Sequence, residues 1–218
     1  MKEYHKIQTL FTRDPKTKFR TLIEGAYSKP EFHYLQYNKW VFTEKVDGTN
    51  IRVMRSAPKD EHGKRHPSVT FGGKTDNASI PAKLIDRLRE KFTEEKMEKQ
   101  FPEGDICLYG EGYGAKIQKG GGNYRDDQDF VLFDVLIDGW WLERESVESI
   151  AEALEIDVVP IVDKGSFVDM VSMCKKGFKS KWGDFMAEGL VARPAIELKN
   201  RAGQRIITKL KHKDFYYV

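Results

Sequence analysis

The most constraining feature of this chain is a glycine turn between two strand-like runs, because the turn carries a lysine and a carboxylate together. The stretch is Lys45-Val46-Asp47-Gly48-Thr49-Asn50. The residues before it, Trp40-Val41-Phe42-Thr43, and after it, Ile51-Arg52-Val53-Met54, are patterned as half-buried strands. Lys45 therefore stands where a strand enters a turn. A lysine held against a sheet loses hydration, its ammonium form becomes less favourable, and a nucleophilic amine becomes available near neutral pH. The plainer reading is a hairpin in which Asp-Gly makes the turn and Lys45 is a solvated strand end. Taken alone, these six residues favour the hairpin.

Four later segments bear on that choice. Leu108-Tyr109-Gly110-Glu111-Gly112 sets one carboxylate between glycines after the apolar run Ile106-Cys107-Leu108. Phe130-Val131-Leu132-Phe133-Asp134-Val135 reads as a buried strand offering aromatic faces. Glu188-Gly189-Leu190-Val191-Ala192-Arg193 repeats the arrangement of carboxylate, glycine and strand. Ile206-Ile207-Thr208-Lys209-Leu210-Lys211 places two lysines on one face of a strand by its period of two. Together they offer a nucleophile, carboxylates, a ring platform and a pair of cations.

In this order the segments resemble the motifs of the covalent nucleotidyltransferase superfamily of ligases and capping enzymes, from about Trp40 to Lys211. Within it the chain looks most like ATP-dependent RNA ligases of the RNA ligase 2 type. Thr49-Asn50 follows the glycine where DNA ligases and capping enzymes commonly place an arginine one residue further along. Phe71-Gly72-Gly73-Lys74-Thr75 is similar to the basic segment of those RNA ligases. The resemblance implies joining of 5′-phosphate and 3′-hydroxyl RNA ends through a lysyl-AMP and an adenylylated 5′ end, with ATP as substrate and Mg²⁺ or Mn²⁺ as metal.

The same resemblance implies a role for each residue. Lys45 would attack the α-phosphate of ATP, and Gly48 would let the nucleotide approach the backbone. Asp47 and Glu188 resemble the acids that organise metal-bound water, their alternative being salt bridges to the lysines. Glu111 resembles the carboxylate that accepts from ribose hydroxyls, and Phe133 the ring laid against adenine, with Phe130 left to the core. Lys209 and Lys211 would reach the nucleotide phosphates and lower the pKa of Lys45. Arg52 and Lys74 are candidates for contacting the RNA end. His62 and His66 share a metal-pair spacing, but Gly63 and Pro67 break the helix that would align them, so they read as loop residues.

Composition excludes other classes. A chain of 218 residues can bury one substantial core, and a hydrophobic fraction of 39% is adequate for it. The N-terminus has no apolar signal region and no later run would span a bilayer, so a cytoplasmic location is expected. Cys107 and Cys174 read as buried thiols. The 37 basic and 34 acidic residues nearly cancel, but the basic ones gather at 13–20, 59–66, 116–125 and 209–213, which suits a nucleic-acid partner.

The expected fold is α+β: a single adenylyltransferase domain over 1–218, with two antiparallel sheets, flanking helices and the nucleotide in the cleft between the sheets. Leu84, Leu88 and Phe92 mark a helix opening at Pro81. Residues 145–154 and 166–175 read as two more, the second with Ser166 and Asp169 placed as a capping box. Residues 158–162 read as one strand between them, and Gly120-Gly121-Gly122 as a mobile loop beside the site. The chain ends seven residues after Lys211, too soon for the OB-fold or helical module with which the family usually continues. The segment 1–39, weak binding, or a partner protein would have to make up the RNA contacts. A small DNA ligase, a capping-type guanylyltransferase and a non-catalytic RNA-end-binding protein are the alternatives.

Overall fold

Lys45 to Asn50 does not close a hairpin. In the computed structural model, which describes residues 3–216, the strand before the turn, Trp40–Glu44, pairs with Gly189–Pro194 and Ile161–Gly165. The strand after it, Thr49–Ser56, pairs with Ser68–Gly72 and Ile106–Gly114 in a different sheet. The turn is a passage from one sheet to another, which removes the plainer reading. Met1, Lys2, Tyr217 and Val218 lie outside the described residues, and with them the ends of the expected 1–218 domain. By its contacts the chain forms two compact units, and the division falls inside this turn, between Val46 and Asp47.

The unit of residues His5–Val46 and Pro160–Val218 is built on a five-stranded sheet. Its order is Gln8–Thr9, Thr208–Lys211, Gly189–Pro194, Trp40–Glu44, Ile161–Gly165. Trp40, Phe42, Leu190, Ala192 and Leu210 project into a core closed by Phe32, Phe167, Met170 and Cys174 from the helices Pro30–Tyr34 and Phe167–Lys176. The Trp40 and Phe167 rings lie 4.1 Å apart, and Trp40 Nε1 donates to Leu35 O at 2.9 Å. Each such side chain contributes about 1.5–3 kcal/mol by leaving water. That burial decides which face of the strands is free for chemistry. A separate two-stranded ribbon, Phe11–Arg13 with Leu22–Tyr27, completes this unit.

The unit of Tyr4 and Asp47–Val159 carries the larger sheet. Its order is Asp157–Val158, Gln128–Ile137, Ile106–Gly114, Thr49–Ser56, Ser68–Gly72, with Trp140–Trp141 paired to Gln128–Ile137. Ile51, Val53, Leu108, Phe130 and Leu132 pack against Leu84, Leu88, Phe92, Met97, Val147 and Leu154. The expected helix at Pro81 is Ala82–Lys91, and the other two are Arg144–Leu154 and Phe167–Lys176. Ser166 caps the last with Asp169, whose Oδ2 accepts from Ser166 N at 2.7 Å. The helices Pro30–Tyr34 and Glu94–Gln100 were not anticipated, although Thr93 caps the second from its side chain.

Three expectations change. The sheets are mixed, because Gln8–Thr9 and Asp157–Val158 each join an edge in parallel. The expected strand 158–162 is two strands: Asp157–Val158 joins one sheet and Ile161–Gly165 the other. Pro160 separates them, since it has no N–H for a ladder and restricts Val159. The glycines at 120–122, expected as a mobile loop, stand at a 3₁₀ turn, with Gly120 capping Gly121–Asn123. Gly121 is buried there, and Tyr124 N donates to its carbonyl at 3.1 Å. Cys107 and Cys174 are free buried thiols as expected.

Candidate active site

In the five-stranded sheet, core burial takes Thr208 and Leu210 to one face and leaves Lys209 and Lys211 on the other. Lys209 pairs opposite Val191 and Lys211 opposite Gly189, next to Glu188. Lys45 N donates to Gly189 O at 2.9 Å, which brings the lysine of the turn to the same place. The side chains then meet on one carboxylate: Glu188 Oε2 lies 2.5 Å from Lys45 Nζ, and Oε1 lies 2.5 Å from Lys211 Nζ. Burial pushes the Glu188 carboxyl up, but the two ammonium groups outweigh it and hold it below the usual range. Lys209 moves below the ordinary lysine value, first by burial and then by the charges of Lys45 and Lys211. Gly189 permits this closeness, because a Cβ there would lie 2.1 Å from Leu210 O.

Asp47, Glu111, Phe133, Arg52 and Lys74 belong to the other unit. Gly48 is required by the fold itself: a Cβ there would lie 2.2 Å from Gly112 O and 2.7 Å from Glu111 Cγ. That close backbone approach is a reason for the glycine within the fold itself. Glu111 pairs opposite Asn50, half-buried. Asp47 is also half-buried, and its carboxylate makes no ion pair with any described residue. Phe133 is half-buried and meets Tyr4 edge-on, with centroids 5.1 Å apart, while Tyr4 donates to Asp134 Oδ2 at 2.8 Å. Phe130 lies fully in the core as expected. Lys74 is exposed.

Arg52 sits differently from the expectation of a direct RNA contact. It is fully buried, donating from Nε to Gly73 O at 2.9 Å and pairing with Asp76 at 2.7 Å. A guanidinium so enclosed holds the 73–76 loop in place. His62 and His66 are exposed loop residues, with His66 Nε2 2.8 Å from Asp60. Among the described residues no three His, Cys, Asp or Glu side chains cluster as a metal site.

Other residues around the turn were not singled out by sequence. Glu44 continues the inward alternation of Trp40 and Phe42, so a carboxylate enters the core. It accepts from Ser180 Oγ at 2.6 Å and Lys181 N at 2.8 Å, while burial raises its pKa. Tyr124 OH accepts from Asp47 N at 3.1 Å, and Gln118 Nε2 donates to Gly48 O at 3.0 Å. The strand period was a signal for Glu44. Nothing local announced Tyr124 or Gln118, which reach the turn from some seventy residues away.

The fold is similar to that of an RNA ligase. A mutant of Naegleria gruberi RNA ligase with ATP and Mn matches with a TM-score of 0.62 and 19% identity, over 97% of this chain and 56% of that one. Another mutant, with AMP and Mn, matches at 0.60 and 21% identity over 84% and 52%. The same ligase with PPi gives 0.60 and 20% over 94% and 54%. This chain thus spans little more than half the length of those ligases. A search of curated proteins finds no match. The RNA ligase family model matches residues 38–211, and the chain belongs to the RNA ligase family.

Proposed function

We propose that this chain is an ATP-dependent RNA ligase of the adenylyltransferase kind. The observation that carries the reading is the single carboxylate of Glu188 held by both Lys45 and Lys211 at 2.5 Å, with Lys209 on the same strand face. Lys45 must lose a proton before it can attack, and that proton leaves to solvent, because Glu188 is held in its charged form by the lysines. The Lys45 nitrogen then bonds to the α-phosphorus of ATP, the α–β bridging P–O bond breaks, and pyrophosphate leaves. Lys209 and Lys211 stabilise the charge that grows on the phosphate oxygens. The AMP passes to the 5′-phosphate of an RNA end, and attack by a 3′-hydroxyl releases AMP and seals the strand.

Glu111 is assigned to the ribose hydroxyls and Phe133 to the adenine face. Asp47 is assigned with Glu188 to Mg²⁺ or Mn²⁺, since Mg²⁺ takes one or two carboxylates and keeps its waters; Asp47 has a carboxylate not engaged in an ion pair, whereas both oxygens of Glu188 are held by lysines. When bound, the metal would neutralise phosphate charge. Lys74 is assigned to the RNA end, with Arg52 holding its loop through Gly73 and Asp76. Among the described residues no helix is long and apolar enough to cross a membrane.

Intact-mass spectrometry after incubation with ATP and Mg²⁺ tests the reading. The protein gains one AMP. Lys45→Ala abolishes the gain, and Lys45→Arg also abolishes it because a guanidinium is a poor nucleophile. An adduct that persists in Lys45→Ala removes Lys45 from the reaction.

A further inference from the structure

One exposed aromatic outside these assignments stands among cations. Phe19 lies at the tip of the ribbon formed by Phe11–Arg13 and Leu22–Tyr27, 60% exposed, and Lys16, Lys18 and Arg20 are exposed around it. Asp14 is the only acidic residue in the segment 13–20. Lys18 and Phe19 both adopt left-handed backbone, with φ of 54° and 61°, which side chains of this size rarely do.

The tip is nonetheless closely bonded. Phe19 N donates to Asp14 O at 2.9 Å, Asp14 N to Thr21 O at 2.9 Å, and Lys16 N to the Asp14 side chain at 2.8 Å. Arg13 Nη1 donates to Phe19 O at 3.2 Å, and Nη2 to Asp214 Oδ1 at 3.0 Å. Asp214 is buried, and its other oxygen accepts from Lys211 N at 3.1 Å. Arg13 and Asp214 thereby brace the tip to the strand that carries Lys209 and Lys211. The ring that this arrangement keeps in water has no place in the core of its own unit.

We propose that this tip is an RNA-gripping element, in which Phe19 stacks on an unpaired base while Lys16, Lys18 and Arg20 face the neighbouring phosphates. The choice of RNA rests on the ligase reading above. The chemistry is that of single-strand binding: an aromatic platform accepts any base by its π face, and flanking cations follow the backbone. An apolar partner would match the ring but not the three exposed cations around it.

Fluorescence anisotropy of a labelled single-stranded RNA of about 12 nucleotides, without ATP, tests the proposal. Phe19→Ala weakens binding on the order of 10-fold, Phe19→Leu weakens it similarly, and Phe19→Trp preserves it. An RNA of the same length with abasic sites binds the native chain and Phe19→Ala alike. The pair Lys16→Ala and Lys18→Ala lowers the slope of log affinity against log salt by about 1.4. Thermal melting of each variant reports whether the fold is retained. Native-like RNA binding by Phe19→Leu, or equal loss with abasic RNA, overturns stacking. Phe19-dependent binding to phosphatidylserine vesicles with unchanged RNA affinity overturns it in favour of a membrane contact. A chain that binds RNA through Phe19 but gains no AMP overturns the ligase reading alone. An AMP adduct with Phe19-independent RNA binding overturns this proposal alone.

Discussion

Nζ of Lys45 lies 2.5 Å from Oε2 of Glu188, on a carboxylate whose other oxygen is equally close to Lys211. One negative charge therefore separates two positive ones, with a third, Lys209, near enough to feel both. Removing that charge leaves ammonium groups facing one another in a partly dry site, where repulsion is screened less than at a surface.

Glu188→Gln should lower stability at neutral pH by about 2 kcal/mol, since the lysines lose their partner while remaining partly buried. The pH dependence has a definite sign. A carboxyl held below its unfolded value contributes stability that is complete above the unfolded pKa and is lost as pH falls through the folded one. Melting temperatures measured from neutral pH into acid should fall in the native chain, and the fall should be shallower in Glu188→Gln. Parallel acid limbs would show that the contact contributes nothing.

The lysines divide by chemical step. Lys209→Ala and Lys211→Ala should each slow adenylylation on the order of 10²-fold, because each removes a cation aimed at developing phosphate charge. Lys74→Ala should form the Lys45 adduct normally and seal poorly. Single-turnover measurement of both steps decides it, and equal loss at both steps for Lys74→Ala would return that residue to the nucleotide pocket or the fold.

Lys209 predicts a coupling between stability and activity. Its pKa is lowered by burial and by Lys45 and Lys211, so the unfolded chain holds this proton more tightly than the folded one. Stability therefore gains from this residue as pH rises from the folded pKa toward the unfolded lysine value. Lys209→Met should raise the melting temperature at neutral pH and lose adenylylation, a trade expected where a site concentrates like charge. A variant that melts lower than the native chain would contradict the charge argument.

Tyr124→Phe removes the hydroxyl that accepts from Asp47 N. Leaving that N–H without its partner should destabilise by about 1 kcal/mol. Its larger effect should fall on the rate constant of adenylylation rather than on the apparent KM for ATP, because the tyrosine acts on the turn and not on the nucleotide. An increase in KM alone would place Tyr124 against ATP instead.

Much of this protein was legible in the order of its residues because the signals are local. Leu84, Leu88 and Phe92 repeat at helical spacing, Ser166 and Asp169 close a cap within one turn, and Lys209 and Lys211 share a face because a strand repeats every two residues. The candidates for chemistry were legible for another reason: five short motifs stand in an order that matches a known family, and the family model covers that same span.

Tertiary structure decided what depends on partners distant in the chain. Whether Lys45 to Asn50 closes a hairpin or crosses between sheets is settled by Gly189–Pro194 and Ile106–Gly114, which claim its two flanking strands. The break at Pro160, the buried Glu44 carboxylate under Ser180, the enclosure of Arg52 and the grip of Tyr124 on Asp47 follow from which surfaces come together once apolar faces leave water. The sequence alone determined the periodicity of each segment and the chemical groups it can offer. Which groups touch, and hence that Glu188 stands between Lys45 and Lys211, was decided only by the fold, because burial of nonlocal faces sets strand pairing and short-range pattern carries no record of it.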